Sequence, residues 1–380
     1  MTVQGTGADV RTRLRRLLRH RTTWALTAAT LVGAVLGAGL VGWRTGTLPW
    51  SQELRPCWDS LSDETLDTLM AGAGRREAEE QKLLGPGWTA RCRVLAYSRE
   101  EHRQDDVAAR LDITVRTLDT LSGRDAHAWS AEFLSTGLTP LGGGLRGMAS
   151  RSRAWLALPQ QCVDGEDPVV VEARMGNQDK EDLISPERRY GMARAVVETA
   201  NGLLGAYGCT GRHRLPRPPR DLDEDAQEER EKKRDGAARA ALCGLAGAPV
   251  PQEHGTWLRR AARNWVDGGP ARVCGMGHPH ADFEARLVTV VDPELSLVFR
   301  AEALGGGPEI SDSELGRGAF TTGRAVFMTR CQTGDVVFLA EQTHGKDSDW
   351  TFVRDVFPLY VAAEADRLGC GPQKVTMPKT

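Results

Sequence analysis

The chain has 380 residues, of which 40% are hydrophobic and 26% charged, a composition typical of a globular protein and not of a disordered or fibrous one. Its formal net charge is −2, but the first 23 residues hold six arginines and a single acid, so the remainder carries −7. A mildly acidic body argues against nucleic-acid binding, because that needs a clustered basic face to displace the counterions of the phosphates.

An uncharged apolar segment follows the basic N-terminus. Residues 24–43 make a stretch of 20, which as a helix spans a hydrocarbon core of about 30 Å. Trp24 and Trp43 lie at its ends, where indole rings prefer the headgroup level. The basic residues before it include Arg15, Arg16, Arg19 and Arg21. We therefore predict a cytoplasmic tail over 1–23, a transmembrane helix over 24–43 that contacts the lipid bilayer, and an extracytoplasmic body at the cell membrane.

A cleaved signal peptide is the alternative for this segment, since a basic region before an apolar run is common to both. The run is long for a signal peptide, and no A-x-A type cleavage site follows it. The first cysteine, Cys57, lies far beyond the run, which argues against a lipid anchor. We favour the uncleaved anchor.

All eight cysteines come after the apolar segment. They are Cys57, Cys92, Cys162, Cys209, Cys243, Cys274, Cys331 and Cys370. An even number in an oxidising compartment predicts disulfides, and no pair has the C-x-x-C spacing of a zinc ribbon or thioredoxin-type site. Four cysteines in a set allow three pairings; we expect the first to bond the second and the third to bond the fourth.

The cysteines divide into two sets of four with similar spacing, and the segments around them recur in the same order. The matched segments include 108–115 with 284–291, 153–158 with 324–329, and 191–209 with 352–370. A single repeat of this length indicates two tandem domains. We predict copy 1 at 44–211 and copy 2 at 237–371, joined by a charged, proline-rich linker at 212–236 and followed by a tail at 372–380.

Each copy alternates helical and strand patterns. In copy 1 a helix is predicted from Ser62 to Met70, with Ser62 as the N-cap and Leu66 and Leu69 on the apolar face. Short alternating runs follow the second and third cysteines, and a helix closes each copy. The predicted fold class is α+β, with one transmembrane helix and two homologous disulfide-bonded domains, each a small, mostly antiparallel sheet with one or two helices on one face.

Three motifs resemble ligand sites. Gly142–Gly147 matches G-x-G-x-x-G but lacks a preceding strand and a following helix, so we interpret it as a glycine turn and predict no cofactor. The acidic start at Asp221 resembles a calcium loop, but Ala226 replaces the required glycine. His278, His280 and Asp282 are weak metal-ligand candidates that a polar loop explains more simply, so no metal site is predicted.

Catalytic signatures are missing from the sequence: it has no G-x-S-x-G elbow, S-x-x-K, H-E-x-x-H or P-loop motif. The bias toward Arg, Ala and Gly with one basic-flanked anchor resembles envelope proteins of high-GC actinobacteria. In each copy, one cysteine lies beside a helix and the next opens a strand. This order is similar to that in the small disulfide-bonded α+β domains of unknown function that such envelope proteins carry. The resemblance covers the cysteine framework and implies an envelope location.

The sequence therefore favours a single-pass membrane protein that serves as a non-catalytic binding, scaffold or sensor module of the cell envelope. Its expected partner is an envelope protein or a small ligand, and not a nucleic acid. The alternative is an envelope hydrolase or metal-dependent enzyme with a site in one copy only.

Overall fold

The structure is a computed structural model that describes most of the chain after residue 54. The described residues are 55–82, 89–100, 102, 105–135, 137–163, 165–176, 186–216, 241–254, 262–266, 268–277, 284–305, 307–312, 316–321, 323–344 and 351–379. The predicted transmembrane segment 24–43 and most of the predicted linker 212–236 lie outside them. No helix in the described part of the chain is long and apolar enough to cross a membrane.

The first half of the body is an antiparallel sheet of seven strands with helices before, between and after them. Its strands are β1 (Arg76–Glu80), β2 (Ala90–Tyr97), β3 (Val107–Thr117), β4 (Thr139–Pro140), β5 (Gly147–Ala149), β6 (Arg153–Ala157) and β7 (Val169–Gly176). Its helices are α1 (Asp63–Leu69), α2 (Arg124–Phe133) and α3 (Pro186–Ala206), and one left-handed turn covers Pro56–Asp59. The strand order across the sheet is β1-β2-β3-β7-β6-β5-β4.

The second half repeats this arrangement. Its strands are β8 (Ala262–Val266), β9 (Ala271–Gly277), β10 (Glu284–Val290), β11 (Glu309–Asp312), β12 (Gly316–Thr321), β13 (Arg324–Cys331) and β14 (Gly334–His344). Its helices are α4 (Pro293–Ser296), α5 (Arg300–Gly305) and α6 (Thr351–Leu368), and short 3-10 turns cover Leu242–Gly244, Gln252–His254 and Leu297–Phe299. The order β8-β9-β10-β14-β13-β12-β11 is the order of the first sheet, strand for strand.

Local sequence explains several of these elements. Ser62 caps α1 by accepting a hydrogen bond from the backbone N–H of Thr65, and Leu66 and Leu69 are buried, which confirms the predicted helix. Strand β2 alternates buried and more exposed residues along its eight positions, as expected for a strand with one face on a core. The closing helices α3 and α6 confirm the two helices predicted before the final cysteines.

Helices cover both faces of the first sheet, and not one face as the sequence suggested. The long helix α3 packs on one face around a core that includes Leu111 and Val196. The opposite face contributes Trp155 to a separate core, together with Trp129 of α2. The second half has its own core under α6, which includes Phe338 and Tyr360. Each half thus buries a core of its own.

A third core is shared by the two halves. Trp129 and Trp155 of the first half meet edge to face at 4.8 Å between ring centroids, and Phe299 of the second half lies 6.5 Å from Trp129. All three side chains are fully buried, and valines such as Val288 and Val337 of the second sheet complete the cluster. Burial of this apolar surface stabilises the contact between the halves.

Two arginine side chains across the same interface reinforce the shared core. Arg286 donates hydrogen bonds to the carbonyl oxygens of Ser130 and Ala131, at 2.9 and 3.1 Å, in the last turn of α2. A guanidinium there satisfies carbonyls that have no partner within the helix. Arg146 forms a second link, with its guanidinium bound to the carboxylate of Asp292 at 2.5 and 2.9 Å.

Three of the four expected disulfides are present. Cys57–Cys92, Cys243–Cys274 and Cys331–Cys370 confirm the predicted pairing of first with second in both halves and of third with fourth in the second half.

The fourth predicted disulfide is not formed, because Cys162 and Cys209 are free thiols. The Cys209 sulfur lies 3.7 Å from the backbone carbonyl oxygen of Cys162, so it points at that carbonyl group and does not bond the other sulfur. Burial and the adjacent Cys162 thiol raise the pKa of Cys209 to about 11. The two thiols nevertheless occupy the place that Cys331 and Cys370 occupy in the second half.

Candidate ligand groove

A groove of about 910 Å³ lies in the second half, beside the last turns of α6. One wall is the turn at Gly244–Ala246, and another is the turn at Gly268–Gly269 before β9. Its lining combines apolar side chains, including Leu245 and Leu368, with the charged residues Arg272, Asp366 and Arg367. A concave surface of this size with a few charged groups is typical of a ligand site.

A strained turn shapes the wall next to Gly244. Cys243 has a left-handed backbone with φ of 52°, which costs a residue other than glycine roughly 1 to 2 kcal/mol. The turn is held by the disulfide to Cys274 and by Arg272, which donates a hydrogen bond to the carbonyl oxygen of Cys243 at 2.6 Å. Arg272 therefore fixes the turn and lines the groove at once.

A buried ion cluster borders the groove through Arg272 and Arg367, and we call this part of the lining the floor. The carboxylate of Glu364 is fully inaccessible, and Arg272, with 7% of its side chain exposed, binds one of its oxygens. Arg367 donates to the other oxygen from Nε and Nη2, at 3.1 and 2.6 Å. Both carboxylate oxygens are thus paired, as the burial of a charge requires. The cluster has two positive groups and one negative group.

A neutral polar pair adjoins the cluster inside the protein. The hydroxyl groups of Tyr360 and Thr289 are 2.7 Å apart and form a hydrogen bond. Burial, followed by the negative charge of Glu364, raises the pKa of Tyr360 far above its usual range. The phenol therefore stays protonated and serves as a fixed hydrogen-bonding group.

In the first half, the positions equivalent to Arg272, Glu364 and Arg367 hold uncharged residues. We call these three positions in each half the corner. Arg272 lies two residues before Cys274, and the residue two before Cys92 is Ala90. Glu364 and Arg367 lie six and three residues before Cys370; the matching residues before Cys209 are Leu203 and Ala206. Ala90 and Leu203 are each 1% exposed. The same fold is therefore made with an apolar corner in one half and a charged corner in the other.

None of the described residues that line this groove is a sequence-derived site candidate. His278, His280 and Asp282 lie outside the described residues, and within those residues no group of three or more His, Cys, Asp or Glu side chains is arranged to hold a metal ion. Gly142, at φ of 75°, and the two glycines after it have left-handed backbones between β4 and β5. This is the predicted glycine turn, between two strands.

Sequence reasoning missed the three residues of the ion cluster, although one signal was present. Glu364 falls on the apolar stripe of α6, four residues after the buried Tyr360 and eight after the buried Val356. A charged residue at such a helical position predicts a buried partner of opposite charge. The identity of that partner depends on which strand residue meets the helix, which the spacing along the chain does not give.

Comparisons with protein families, curated proteins and solved structures gave no match to this chain. The case for function therefore rests on the groove and on the difference between the two halves.

Proposed function

We propose that the chain is a single-pass, membrane-anchored extracytoplasmic protein of the cell envelope whose body is a non-catalytic binding module, and that the groove in its second half holds the ligand. The uncharged stretch 24–43 after a basic N-terminus supports the anchor. Three disulfides support an oxidising compartment for the body.

The observation that carries the binding proposal is the charged corner itself. Buried ion pairs are costly to desolvate, and replacement by packed apolar residues is often neutral or stabilising. The first half folds in the same way with Ala90 and Leu203 at the equivalent places, so the fold does not require Arg272 and Glu364. Charges that the fold does not require, placed at the floor of a groove, support recognition of a ligand.

The chemistry of the groove favours binding over catalysis. The Glu364 carboxylate has both oxygens paired with arginines, and the Tyr360 phenol is buried with a strongly raised pKa. The Tyr360 phenol therefore does not exchange its proton near neutral pH, which general acid–base catalysis needs.

A thermal-shift screen of the full-length protein in detergent tests the binding proposal. A library of small polar molecules should contain compounds that raise the unfolding temperature of the wild type and leave Arg367→Ala unaffected. Arg367 is 44% exposed and Glu364 keeps Arg272 as a partner, so Arg367→Ala should lower the unfolding temperature and still fold. Arg124→Ala is the matched control, because Arg124 is an exposed arginine of the first half. Compounds that stabilise all three proteins equally would count against the groove as the site.

The topology has a separate test. Intact cells that carry the full-length protein are treated with protease, and the membrane fraction is then probed with antibodies to each end of the chain. In untreated cells we expect the body in the membrane fraction, and in treated cells we expect it to be digested from outside. Release of the body from membranes would contradict the anchor and favour a cleaved signal peptide.

A further inference from the structure

We infer that the groove recognises a small zwitterion of the amino-acid or dipeptide type, through a cationic floor and an anionic rim. The inference rests on the proposed function and names the chemical class of the ligand. It depends on which charged groups of the groove already form ion pairs with other described residues of the protein.

Among the residues that the structure describes, the floor has more positive than negative groups. Arg272 and Arg367 bring two guanidinium groups, and Glu364 brings one carboxylate whose two oxygens both accept from them. Arg367 uses Nε and Nη2 for Glu364, and in the part of the chain that the structure describes its Nη1 has no carboxylate or carbonyl acceptor. A carboxylate in the groove would pair with this group.

The rim carries the opposite charge. Asp366 is exposed, lines the groove and precedes Arg367 in the chain. Among the described residues no lysine or arginine forms an ion pair with its carboxylate. An ammonium group in the groove would therefore meet Asp366, while the carboxylate of the same ligand meets Arg367.

The remaining lining suits an apolar body between the two charges. Leu245, Val291 and Leu368 supply aliphatic surface beside the charged groups. The volume of about 910 Å³ lies within the range of small-molecule sites and accommodates one or two amino-acid residues. A ligand with only a carboxylate would place its charge near Asp366 without compensation, and a purely cationic ligand would face the excess positive charge of the floor.

Calorimetric titration of the full-length protein with a matched set of probes tests this class. The probes are L-alanyl-L-leucine, its N-acetyl derivative, its C-terminal amide, and the doubly blocked compound. We expect the free dipeptide to bind and each singly blocked form to bind about tenfold more weakly, because each loses one charge-assisted hydrogen bond. The doubly blocked compound should show no measurable binding.

Two variants link the probes to residues. Asp366→Asn should bind the free and N-acetyl dipeptides equally, and Arg367→Ala should no longer distinguish the free dipeptide from its amide. Asp366→Asn leaves the ion cluster intact, so it keeps the test valid should Arg367→Ala unfold. The control Arg124→Ala should bind all four probes as the wild type does.

The outcomes separate the inference from the proposed function. Equal binding of all four probes, or no binding of the free dipeptide, would overturn the zwitterion inference. Compounds from the thermal-shift screen that depend on Arg367 would uphold the groove as the site in either case. A screen without such compounds would contradict the proposed function itself.

Discussion

The two halves of the body share one strand order but differ at the same corner. Between the opening disulfide and the closing helix, the first half has Ala90 and Leu203, and the second half has Arg272 and Glu364. The backbone of the two corners is built from equivalent elements. Because the apolar version already satisfies the fold, the charged version agrees with the proposed role in binding.

A second difference lies just after the closing helices. Cys331 and Cys370 are bonded, whereas Cys162 and Cys209 are adjacent free thiols. The comparison shows that equivalent positions in a repeated fold keep their place in space while their chemistry changes. The halves are also joined by a common core, so a change in one half affects the stability of the other.

The largest expected effect comes from Trp129→Ala in the shared core. Trp129 is fully buried against Trp155 and Phe299, and removing a buried indole costs about 5 kcal/mol. Unfolding in urea should remain a single transition for the wild type and should shift to much lower urea in the variant. Trp58→Ala, at a half-buried indole of the first half, is the control and should cost far less. Two separate transitions in the wild type would show that the halves unfold independently.

Converting the charged corner into the apolar one gives the next effect. Glu364→Leu alone leaves Arg272 buried without its carboxylate and should lower the free energy of unfolding by about 4 kcal/mol. The triple variant Arg272→Ala, Glu364→Leu and Arg367→Ala has the residues of the first half and should recover most of this loss. Chemical denaturation measures both. A triple variant that stays as unstable as the single one would mean that the second half needs its ion cluster to fold.

Sequence reasoning reached much of the fold because local patterns determine its strands and closing helices. The alternation in AARLDITV predicted β3, and the matching run around Leu287 predicted β10. The order of the cysteines predicted three disulfides correctly. These features depend on neighbours along the chain, where periodicity is informative.

The shared core and the ion cluster were not predictable in the same way. Trp129 and Phe299 are distant in sequence, and α2, which carries Trp129, was not predicted as a helix at all. The pairing of Arg272 with Glu364 needs the position of α6 on the second sheet, which depends on packing and not on spacing. The sequence identifies a single charged residue on an apolar helix face, but it does not identify the residue that pairs with it.

The disulfide difference predicts a smaller change. Replacing Cys331 and Cys370 by serine removes a cross-link over 39 residues and should cost about 3 kcal/mol, chiefly through the unfolded chain. The same double replacement at Cys162 and Cys209 should cost less than about 1 kcal/mol, because no bond is lost. Ellman's reagent should also count two thiols in the native protein. Equal losses of stability in the two double variants would show that the first half carries the fourth disulfide after all.

The smallest expected effect is on stability at acid pH. The equivalent strands β7 and β14 each carry a carboxylate, and the pKa values of the two are shifted in opposite directions. Burial tends to raise the pKa of Glu341 in β14, but the charges of Arg324 and Arg286 outweigh it, and the pKa lies below 4.5. Burial of Glu172 in β7 outweighs the pairing with Arg116, and its pKa lies above 4.5.

The two shifts act on stability with opposite sign. Glu341 binds its proton less tightly in the folded state, so it stabilises the protein above about pH 4.5, and that contribution is lost as the pH falls through its folded pKa. Glu172 binds its proton more tightly when folded, so its ionised form costs stability, and protonation removes the cost as the pH falls through its raised pKa. Carbon-13 NMR of the two labelled carboxyl groups should place their midpoints on opposite sides of 4.5. Midpoints on the same side would show that the two strands do not differ electrostatically in the way their arginine partners imply.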